Sequence, residues 1–394
     1  ADDACAGKYI FVHDIPARYN RDYVRDCGSL LKWLDMCEYL SNRGLGRPVD
    51  DPDALLVGGG GPPAWFRTDQ FALEVIFHNR MERYKCLTKD PSEAAAFYVP
   101  YYAGLDASRY LWNFTGDVST ARDADVVGAF EWLRGRPEWN FTGTKDHFMV
   151  AGRTTWDFRR GEGGIGWGSK LMMMPEARNV MFLTLESSPW DDSRDLAIPY
   201  PTFFHPSNDA QVRQWQDRVR KNRRTFLFSF VGAPRNGSIR GEITDQCIAS
   251  STSRRRGCRL MQCVEEICLN PLEVMKVHME SVFCLQPPGD TPTRRSAFDS
   301  IVAGCIPVFF DTAYLQYRWH LPRDADSYSV IIPKERRVKI ESVLREISEE
   351  RVSAMREAVI GLIPKVIYVH PNAELHTTED AFDLAIRGVI ESIE

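Results

Sequence analysis

The stretch that decides the fold reads Phe283-Cys284-Leu285-Gln286-Pro287-Pro288-Gly289-Asp290, then Thr293-Arg294-Arg295-Ser296-Ala297-Phe298-Asp299, then Gly304-Cys305-Ile306-Pro307-Val308-Phe309-Phe310. Its apolar ends predict two short buried strands, over 281–285 and 305–310, joined by a polar loop and a helix. We expect Thr291 to cap the helix, Pro292 to take its first position and Gly304 to end it. Such a β-α-β unit puts the loop and the helix N-terminus at the carboxyl edge of a parallel sheet.

The charged residues of this stretch suit an anionic ligand. Free N–H groups and the helix dipole attract anions to that edge, and Arg294 and Arg295 add forked donors that fit a diphosphate. Arg295, Phe298, Asp299 and Val302 follow helical spacing and share a face, which places the Asp299 carboxylate to accept ribose hydroxyls. An ordinary buried β-α-β unit with a salt-bridged helix would give the same pattern.

Three further stretches, together with the one above, carry a family resemblance. They are Gly7-Lys8-Tyr9-Ile10-Phe11-Val12-His13-Asp14-Ile15-Pro16, the segment Asp146-His147-Phe148-Met149-Val150-Ala151-Gly152-Arg153 with Thr155-Trp156-Asp157-Phe158, and Phe228-Ser229-Phe230-Val231-Gly232-Ala233-Pro234-Arg235. Over nearly its whole length the chain resembles the exostosin-type glycosyltransferases, and among them the plant xyloglucan galactosyltransferases.

The resemblance implies an α/β protein of the GT-B fold, with two Rossmann-like domains facing a central cleft. It also implies inverting transfer of galactose from UDP-galactose onto xylosyl side chains of the acceptor xyloglucan, through a β-1,2 linkage, in cell-wall synthesis. Related members that transfer galacturonic acid, arabinose or xylose remain alternatives. A non-catalytic polysaccharide-binding protein and a structural subunit of a Golgi complex also remain open.

The composition agrees with a large globular protein. The chain has 394 residues, of which 44% are hydrophobic and 26% charged, enough for two domains. A net charge of −5 argues against nucleic acid as a partner. No apolar run is long enough to span a membrane, and the start at Ala1 predicts a trimmed ectodomain. The resemblance implies the Golgi lumen, a single-pass type II anchor, and a homodimer or a complex with other Golgi glycosyltransferases.

Strand and helix patterns alternate in both halves of the chain, which predicts parallel sheets. The alternation breaks near Gln211, so we place the domain boundary at residue 215. The resemblance then makes 1–215 the acceptor-binding domain and 216–350 the nucleotide-sugar-binding domain. Residues 351–394 are expected to form C-terminal helices that cross back to the first domain.

Ten cysteines and three sequons indicate a secretory compartment, and the sequons predict glycosylation at Asn113, Asn140 and Asn236. We expect Cys5–Cys86 to flank strands of the first sheet and Cys27–Cys37 to close a short loop. The resemblance alone implies a third disulfide, Cys284–Cys305. The remaining four, Cys247, Cys258, Cys263 and Cys268, are too crowded to pair, and they lack the spacing of a zinc knuckle.

An inverting transfer must stabilise a diphosphate leaving group, which GT-B enzymes usually do with cationic side chains and backbone N–H groups. Arg235 follows the strand-ending Gly232, where a phosphate can approach the backbone closely. For any single arginine, a surface ion pair is the competing explanation. The predicted donor-binding residues are Gly232, Arg235, Arg240, Gly289, Arg294, Arg295, Ser296 and Asp299.

We expect no metal cofactor. Three Asp-x-Asp strings occur, at 51–53, 123–125 and 324–326, but each lies in a loop or at a helix start, where acidic residues commonly act as caps. UDP-sugar is then a substrate, and fixed arginines neutralise its diphosphate.

The sequence identifies the residues on the acceptor side less specifically than those on the donor side. The transfer needs a base, for which we rank Asp157 first, His147 second and His13 third, because a carboxylate or a histidine tuned near neutral pH can take the acceptor proton. A structural histidine is the common alternative for each imidazole. Aromatic composition suggests an acceptor groove walled by Tyr101, Tyr102, Trp112, Trp156 and Trp190.

Overall fold

A computed structural model of the chain describes residues 5–51, 55–56, 61–111, 121–140, 143, 145–161, 166–189, 194–251, 257–264 and 266–393. The chain folds into two compact units. Unit 1 comprises Ala1–Gly46, Thr68–Ile198 and Phe382–Glu394, and unit 2 comprises Arg47–Arg67 and Pro199–Ala381. Each unit is built on a parallel sheet, so the predicted fold class with two Rossmann-like units is confirmed. In the described part of the chain, no helix is both long and apolar enough to cross a membrane.

The sheet of unit 1 is parallel throughout and has the order β2-β1-β3-β4-β5-β6. Its two longest strands are completely buried, as expected of a parallel sheet covered on both faces. The strands are β1 (Tyr9–Val12), β2 (Leu87–Thr88), β3 (Ala94–Tyr98), β4 (His147–Thr154), β5 (Met181–Glu186) and β6 (Asp195–Ala197).

The sheet of unit 2 is also parallel and has the order β11-β10-β9-β7-β8. Its strands are β7 (Phe226–Gly232), β8 (Cys258–Gln262), β9 (Ser281–Gln286), β10 (Ile306–Phe309) and β11 (Val330–Ile331). The strands predicted from the opening stretch are therefore β9 and β10, neighbours in this sheet.

The helices follow the strands in the alternation that the sequence predicts. They are α1 (Arg21–Arg25), α2 (Cys37–Gly44), α3 (Leu73–Met81), α4 (Ala103–Ser108), α5 (Ala124–Arg134), α6 (Asp209–Lys221), α7 (Ile239–Ser251), α8 (Pro271–Met279), α9 (Arg295–Val302), α10 (Ile340–Arg345), α11 (Glu349–Leu362) and α12 (Ala381–Ile393).

The two structural units and the predicted functional domains divide the chain differently. Unit 2 begins at Pro199 and includes Arg47–Arg67, where Trp65 packs on Phe204 with ring centroids 4.8 Å apart. Of the C-terminal helices, α11 belongs to unit 2 and nearly all of α12 to unit 1. There Phe382 packs against Phe77 of α3 at 4.7 Å. The acceptor and donor roles of the two halves remain predictions.

The start of α9 corrects one expectation. Thr291 and Pro292 do not open the helix, since α9 begins at Arg295 with Arg294 as its N-cap residue. The carbonyl of Thr291 instead accepts a hydrogen bond from the Gly289 N–H (3.1 Å), which forms a turn ahead of the helix. The predicted end is confirmed: Gly304 has φ +64°, and the following Cys305 N–H donates to the Ser300 carbonyl at 2.9 Å.

All ten cysteines are bonded. The three expected pairs, Cys5–Cys86, Cys27–Cys37 and Cys284–Cys305, are present. The four that the sequence left open form Cys247–Cys258, which joins α7 to β8, and Cys263–Cys268 in the loop that follows β8. Four of the bonds close loops of 5 to 21 residues, so they constrain the chain locally.

Buried histidines predict how stability depends on pH. Burial lowers the pKa of five imidazoles from 6.5 to about 3 or 4, so each must release its proton to fold. Three buried carboxyls oppose this, because burial raises the pKa of Glu74 to about 7 and those of Asp106 and Asp299 to about 6. The histidines are His13, His78, His205, His278 and His320.

We therefore expect the protein to lose stability between pH 7.5 and pH 5.5. Below the unfolded pKa of 6.5 the unfolded chain binds up to five protons at these imidazoles, whereas the folded chain binds up to three at the carboxyls. The net loss is roughly 3 kcal/mol. Thermal unfolding at the two pH values measures it, and His320→Gln should flatten the dependence. A melting temperature that rises toward pH 5.5 would contradict this account.

Candidate functional site in unit 2

The order of the strands in unit 2 creates a crevice at one point of the carboxyl edge. The chain leaves β7 for β8 on one side of the sheet and continues from β9 to β10 on the other, so the connections diverge between β7 and β9. In open α/β sheets, ligands bind at such a switch point. The loop after β7 carries Arg235, the first turn of α7 carries Arg240, and the loop after β9 carries Gly289 and Arg294. The predicted donor residues thus meet at the edge where the fold favours binding.

Three guanidinium groups converge on the loop after β9. A Cβ atom added to Gly289 would overlap the guanidinium of Arg294 and would lie 2.6 Å from Nη2 of Arg240. The Arg240 Nε donates to the Pro288 carbonyl (3.1 Å), and Arg235 pairs with Asp290 at 2.5 Å. Glycine is required at position 289 because two arginine side chains occupy the space of a side chain.

The positive charge of this cluster exceeds the negative charge around it. Burial and the neighbouring charges of Arg294 and Arg235 lower the pKa of Arg240 to about 10, with Asp290 opposing. The hydrogen bond from Arg235 in turn lowers the pKa of Asp290. Three arginines held close together against one exposed aspartate favour an anionic ligand that brings more than one negative charge.

Arg294 is fixed by the fold. Its backbone N–H donates to the Tyr314 hydroxyl at 3.0 Å, and the Tyr314 ring stacks on Phe309 of β10 with centroids 4.0 Å apart. The Arg294 Nε is buried and has no hydrogen-bond partner among the described residues. Nothing near position 294 in the sequence indicated Tyr314, which lies twenty residues further along the chain.

The first turn of α9 holds a buried ion pair. Arg295 Nε donates to Asp299 Oδ2 (3.1 Å), and the guanidinium of Arg295 lies 3.7 Å above the ring of Phe203. Burial raises the pKa of Asp299 to about 6, although the Arg295 charge opposes it. The second carboxylate oxygen, Oδ1, is buried without a partner in the described structure. This orphan acceptor has the chemistry that a ribose hydroxyl requires, since it accepts a hydrogen bond.

Ser296 and Gln286 form a second polar contact near the start of α9. The Ser296 hydroxyl donates to Oε1 of Gln286, the last residue of β9, while the Gln286 Nε2 is buried and lacks a partner among the residues described. An orphan donor therefore accompanies the orphan acceptor of Asp299. By contrast, Gly232 is explained by packing alone, because a Cβ there would lie 2.6 Å from Cζ of Phe230.

Beside the arginine cluster, the loop after β7 and the first turns of α7 surround a polar pocket of about 450 Å³. No aromatic side chain contributes to it. Its lining consists of Pro234, Arg235, Asn236, Gly237, Ser238, Gly241, Glu242, Thr244, Asp245 and Gln262. The sequence indicates a sequon at Asn236 but gives no sign of this pocket, because its walls come from a loop, a helix face and the end of β8.

The predicted catalytic residues lie in unit 1, and the first of them, Asp157, is held on both oxygens. Arg153 Nε donates to Oδ2 at 2.7 Å, and the Trp167 indole N–H donates to Oδ1. Asp157 follows β4 at its carboxyl edge, and the neighbouring Trp156 is 39% exposed. The Asp157 carboxylate is therefore buried and held in a fixed orientation, and the residue that precedes it in the chain is an exposed tryptophan.

The other two candidates form a buried pair. Nε2 of His13 and Nε2 of His147 are 3.0 Å apart, and Nδ1 of His147 lies 2.9 Å from Asp146 Oδ1. Both imidazoles are at most 1% exposed, and burial lowers the pKa of His13 to about 3. The two rings support one another inside the sheet, an arrangement typical of structural histidines.

Two predicted acceptor aromatics belong to the core of unit 1. Tyr101 and Tyr102 are 1% and 2% exposed, so neither ring presents a face to a ligand. The Tyr101 hydroxyl donates to Asp106, and the Tyr102 hydroxyl lies 2.9 Å from Nδ1 of His78. The exposed Trp156 is the one described aromatic of this set that could contact an acceptor. Trp112, Trp190 and the sequon residue Asn113 lie outside the described residues.

No group of three or more His, Cys, Asp or Glu side chains within the described residues has the geometry of a metal site. Asp123 pairs with Arg160, Asp125 with Arg109, and Asp324 caps a short turn. The string at 51–53 extends into residues that are not described.

The chain matches one family model and several named plant proteins over nearly its whole length. The model of the exostosin GT47 domain matches residues 4–347. The xyloglucan galactosyltransferase MUR3 of Arabidopsis thaliana is 48% identical over 99% of this chain and 63% of its own length. The probable xyloglucan galactosyltransferase GT12 of the same plant is 45% identical over 99% of the chain and 77% of its own length. The xyloglucan-specific galacturonosyltransferase 1 is 38% identical, over 99% of the chain and 58% of its own length.

The arginine cluster predicts a specific loss of affinity for a nucleoside diphosphate. We expect Arg294→Ala to weaken UDP binding about 10- to 100-fold, because it removes a charged donor from a partly buried anion site. Arg345→Ala is the matched control, since Arg345 pairs with Glu341 elsewhere in unit 2. Calorimetry with UDP measures both variants. Wild-type affinity in Arg294→Ala would exclude this residue from the site.

Proposed function

The chain belongs to the exostosin GT47 family, and from this premise we propose that it is an inverting glycosyltransferase. It moves galactose from UDP-galactose onto xylosyl side chains of xyloglucan through a β-1,2 linkage. The observation that carries the donor class is the convergence of Arg235, Arg240 and Arg294 at the switch point of unit 2. Relatives 45% and 48% identical that are named for xyloglucan galactosyl transfer support the acceptor and the sugar.

In the proposed reaction the acceptor hydroxyl attacks the anomeric carbon, the bond to the β-phosphate oxygen breaks, and UDP leaves with the electron pair. The arginine cluster stabilises the negative charge that grows on that oxygen. Because three fixed cations supply this stabilisation, we propose that no metal takes part. Asp299 Oδ1 accepts a hydrogen bond from the ribose, and the Arg295 ion pair holds its carboxylate in place.

For the base we propose Asp157. It would take the proton of the acceptor hydroxyl, and Trp156 beside it would stack on an acceptor sugar. The hydrogen bonds from Arg153 and Trp167 fix the carboxylate and leave it further lone pairs. His147 and His13 are more completely buried, at 0% and 1% exposed against 7% for Asp157, and their Nε2 atoms contact one another.

A second candidate function is transfer of galacturonic acid from its UDP donor. The observation in its favour is the relative named a xyloglucan-specific galacturonosyltransferase, 38% identical over 99% of the chain. We prefer galactose because the relatives named for galactosyl transfer are 48% and 45% identical to the chain, whereas the one named for galacturonosyl transfer is 38% identical.

We also propose that the protein acts in the Golgi lumen as part of a single-pass type II membrane protein. Five disulfides support an oxidising compartment. A homodimer or a complex with other Golgi glycosyltransferases would be compatible with this location.

The donor and acceptor are tested by a screen of UDP-galactose, UDP-galacturonic acid, UDP-xylose and UDP-arabinose against xyloglucan oligosaccharides. We expect one added hexose from UDP-galactose, β-1,2-linked to xylose, with the rate unchanged by a chelator. Product mass and linkage analysis give the answer. Transfer of a uronic acid alone would support the second candidate, and loss of activity in EDTA restored by manganese would refute metal independence.

The base is tested by Asp157→Asn. If Asp157 takes the proton, turnover should fall about 100-fold or more, while calorimetry should give an unchanged UDP affinity. Trp167→Phe is the matched control, because it removes one hydrogen bond from the same carboxylate and keeps its charge. It should retain most turnover and the pH profile of kcat. Near-normal turnover in Asp157→Asn would transfer the role to His147 or His13.

A further inference from the structure

The sequon Asn236-Gly237-Ser238 lies in the wall of the polar pocket, immediately after Arg235. Asn236 is exposed and borders the pocket of about 450 Å³ that lies between the loop after β7, the first turns of α7 and the end of β8. Its side-chain amide has no hydrogen-bond partner in the described part of the structure. An exposed sequon asparagine ordinarily carries a glycan, whereas this one would carry it beside the proposed phosphate site.

Two of the three residues of this sequon have a local structural reason that does not involve glycosylation. The Ser238 hydroxyl donates to the Arg235 carbonyl at 2.8 Å and lies 3.3 Å from the Arg240 N–H, which donates to it. Ser238 thus fixes the turn that carries two of the three arginines. Gly237 has φ +68°, a conformation that favours glycine. Gly237 and Ser238 therefore follow from the geometry of the loop.

The backbone at Asn236 lies close to the start of α7. Next to it, a Cβ atom on Gly241 would lie 3.0 Å from the Arg235 carbonyl oxygen and 3.5 Å from the Asn236 Cα. The loop therefore packs directly on the first turn of α7. A glycan on Asn236 would begin at the pocket wall and compete with any ligand that enters from the arginine cluster.

We propose that Asn236 is a ligand-binding residue of the donor pocket and that its sequon stays unmodified in the active protein. The carboxamide offers two N–H donors and an acceptor oxygen to the hydroxyl or carbonyl groups of the nucleotide sugar. This inference rests on the proposed UDP-sugar transferase function, and it names the group that contacts the donor next to Arg235.

The first test is the occupancy of the sequon. The protein is secreted from a plant cell line and treated with a glycosidase in heavy-oxygen water, which labels each asparagine that carried a glycan. Peptide mapping then gives the glycosylated fraction at Asn236 and at Asn140. Asn140 is exposed and serves as the comparison site. We expect the fraction that binds UDP to be unmodified at Asn236. A glycan at Asn236 in protein that binds UDP normally would overturn the proposal.

The second test is the affinity of two matched variants that each remove one sequon. Asn236→Gln should weaken UDP-galactose binding about three- to tenfold, while Asn140→Gln should leave it unchanged. Equal affinity of Asn236→Gln and wild type would overturn the contact with the donor. If unmodified wild-type protein fails to bind both UDP and UDP-galactose, the proposed function fails instead, since that result does not depend on Asn236.

Discussion

The main electrostatic constraint on the second unit is the accumulation of positive charge at one edge of its sheet. Arg235, Arg240 and Arg294 repel one another, and this repulsion adds to burial in lowering the pKa of Arg240 to about 10. The fold holds these arginines together despite their mutual repulsion. Gly289 has no side chain and so leaves room for two guanidinium groups, and Tyr314 fixes the backbone of Arg294. A cluster of this kind is stable when an anion compensates it, which is the basis of our proposal that the charge arrangement is a preformed diphosphate site.

The rest of unit 2 supports that site. The strand order places the loops after β7 and β9 side by side, and the Cys284–Cys305 bond ties the start of β10 to β9 beneath the second loop. The buried pair of Arg295 and Asp299 leaves one carboxylate oxygen without a partner among the described residues, close to this edge. Topology, covalent constraint and orphan polar atoms thus all favour a ligand with a phosphate end and a hydroxyl-bearing end.

Local sequence patterns predict many elements of the fold and part of the candidate site, whereas features that depend on tertiary contacts cannot be predicted from them. The helix around Asp299 and its end at Gly304 follow from spacing and from the need for positive φ, which are local properties. The start of α9 was misplaced because a tertiary contact to Tyr314 decides it. Composition could not separate Tyr101 and Tyr102, which are core residues, from Trp156, which is exposed. The contact of His13 with His147 joins strands β1 and β4, which are separated by β3, so no sequence interval indicates it.

The central claim is that fixed arginine charge in unit 2 recognises a diphosphate. Titration calorimetry with UDP and with uridine, each over a range of salt concentrations, tests it most directly on the unmodified protein. The account predicts that UDP binds at least about 100-fold more tightly than uridine and that added salt weakens UDP binding alone. Equal affinities for the two ligands, or UDP binding that salt leaves unchanged, would contradict it.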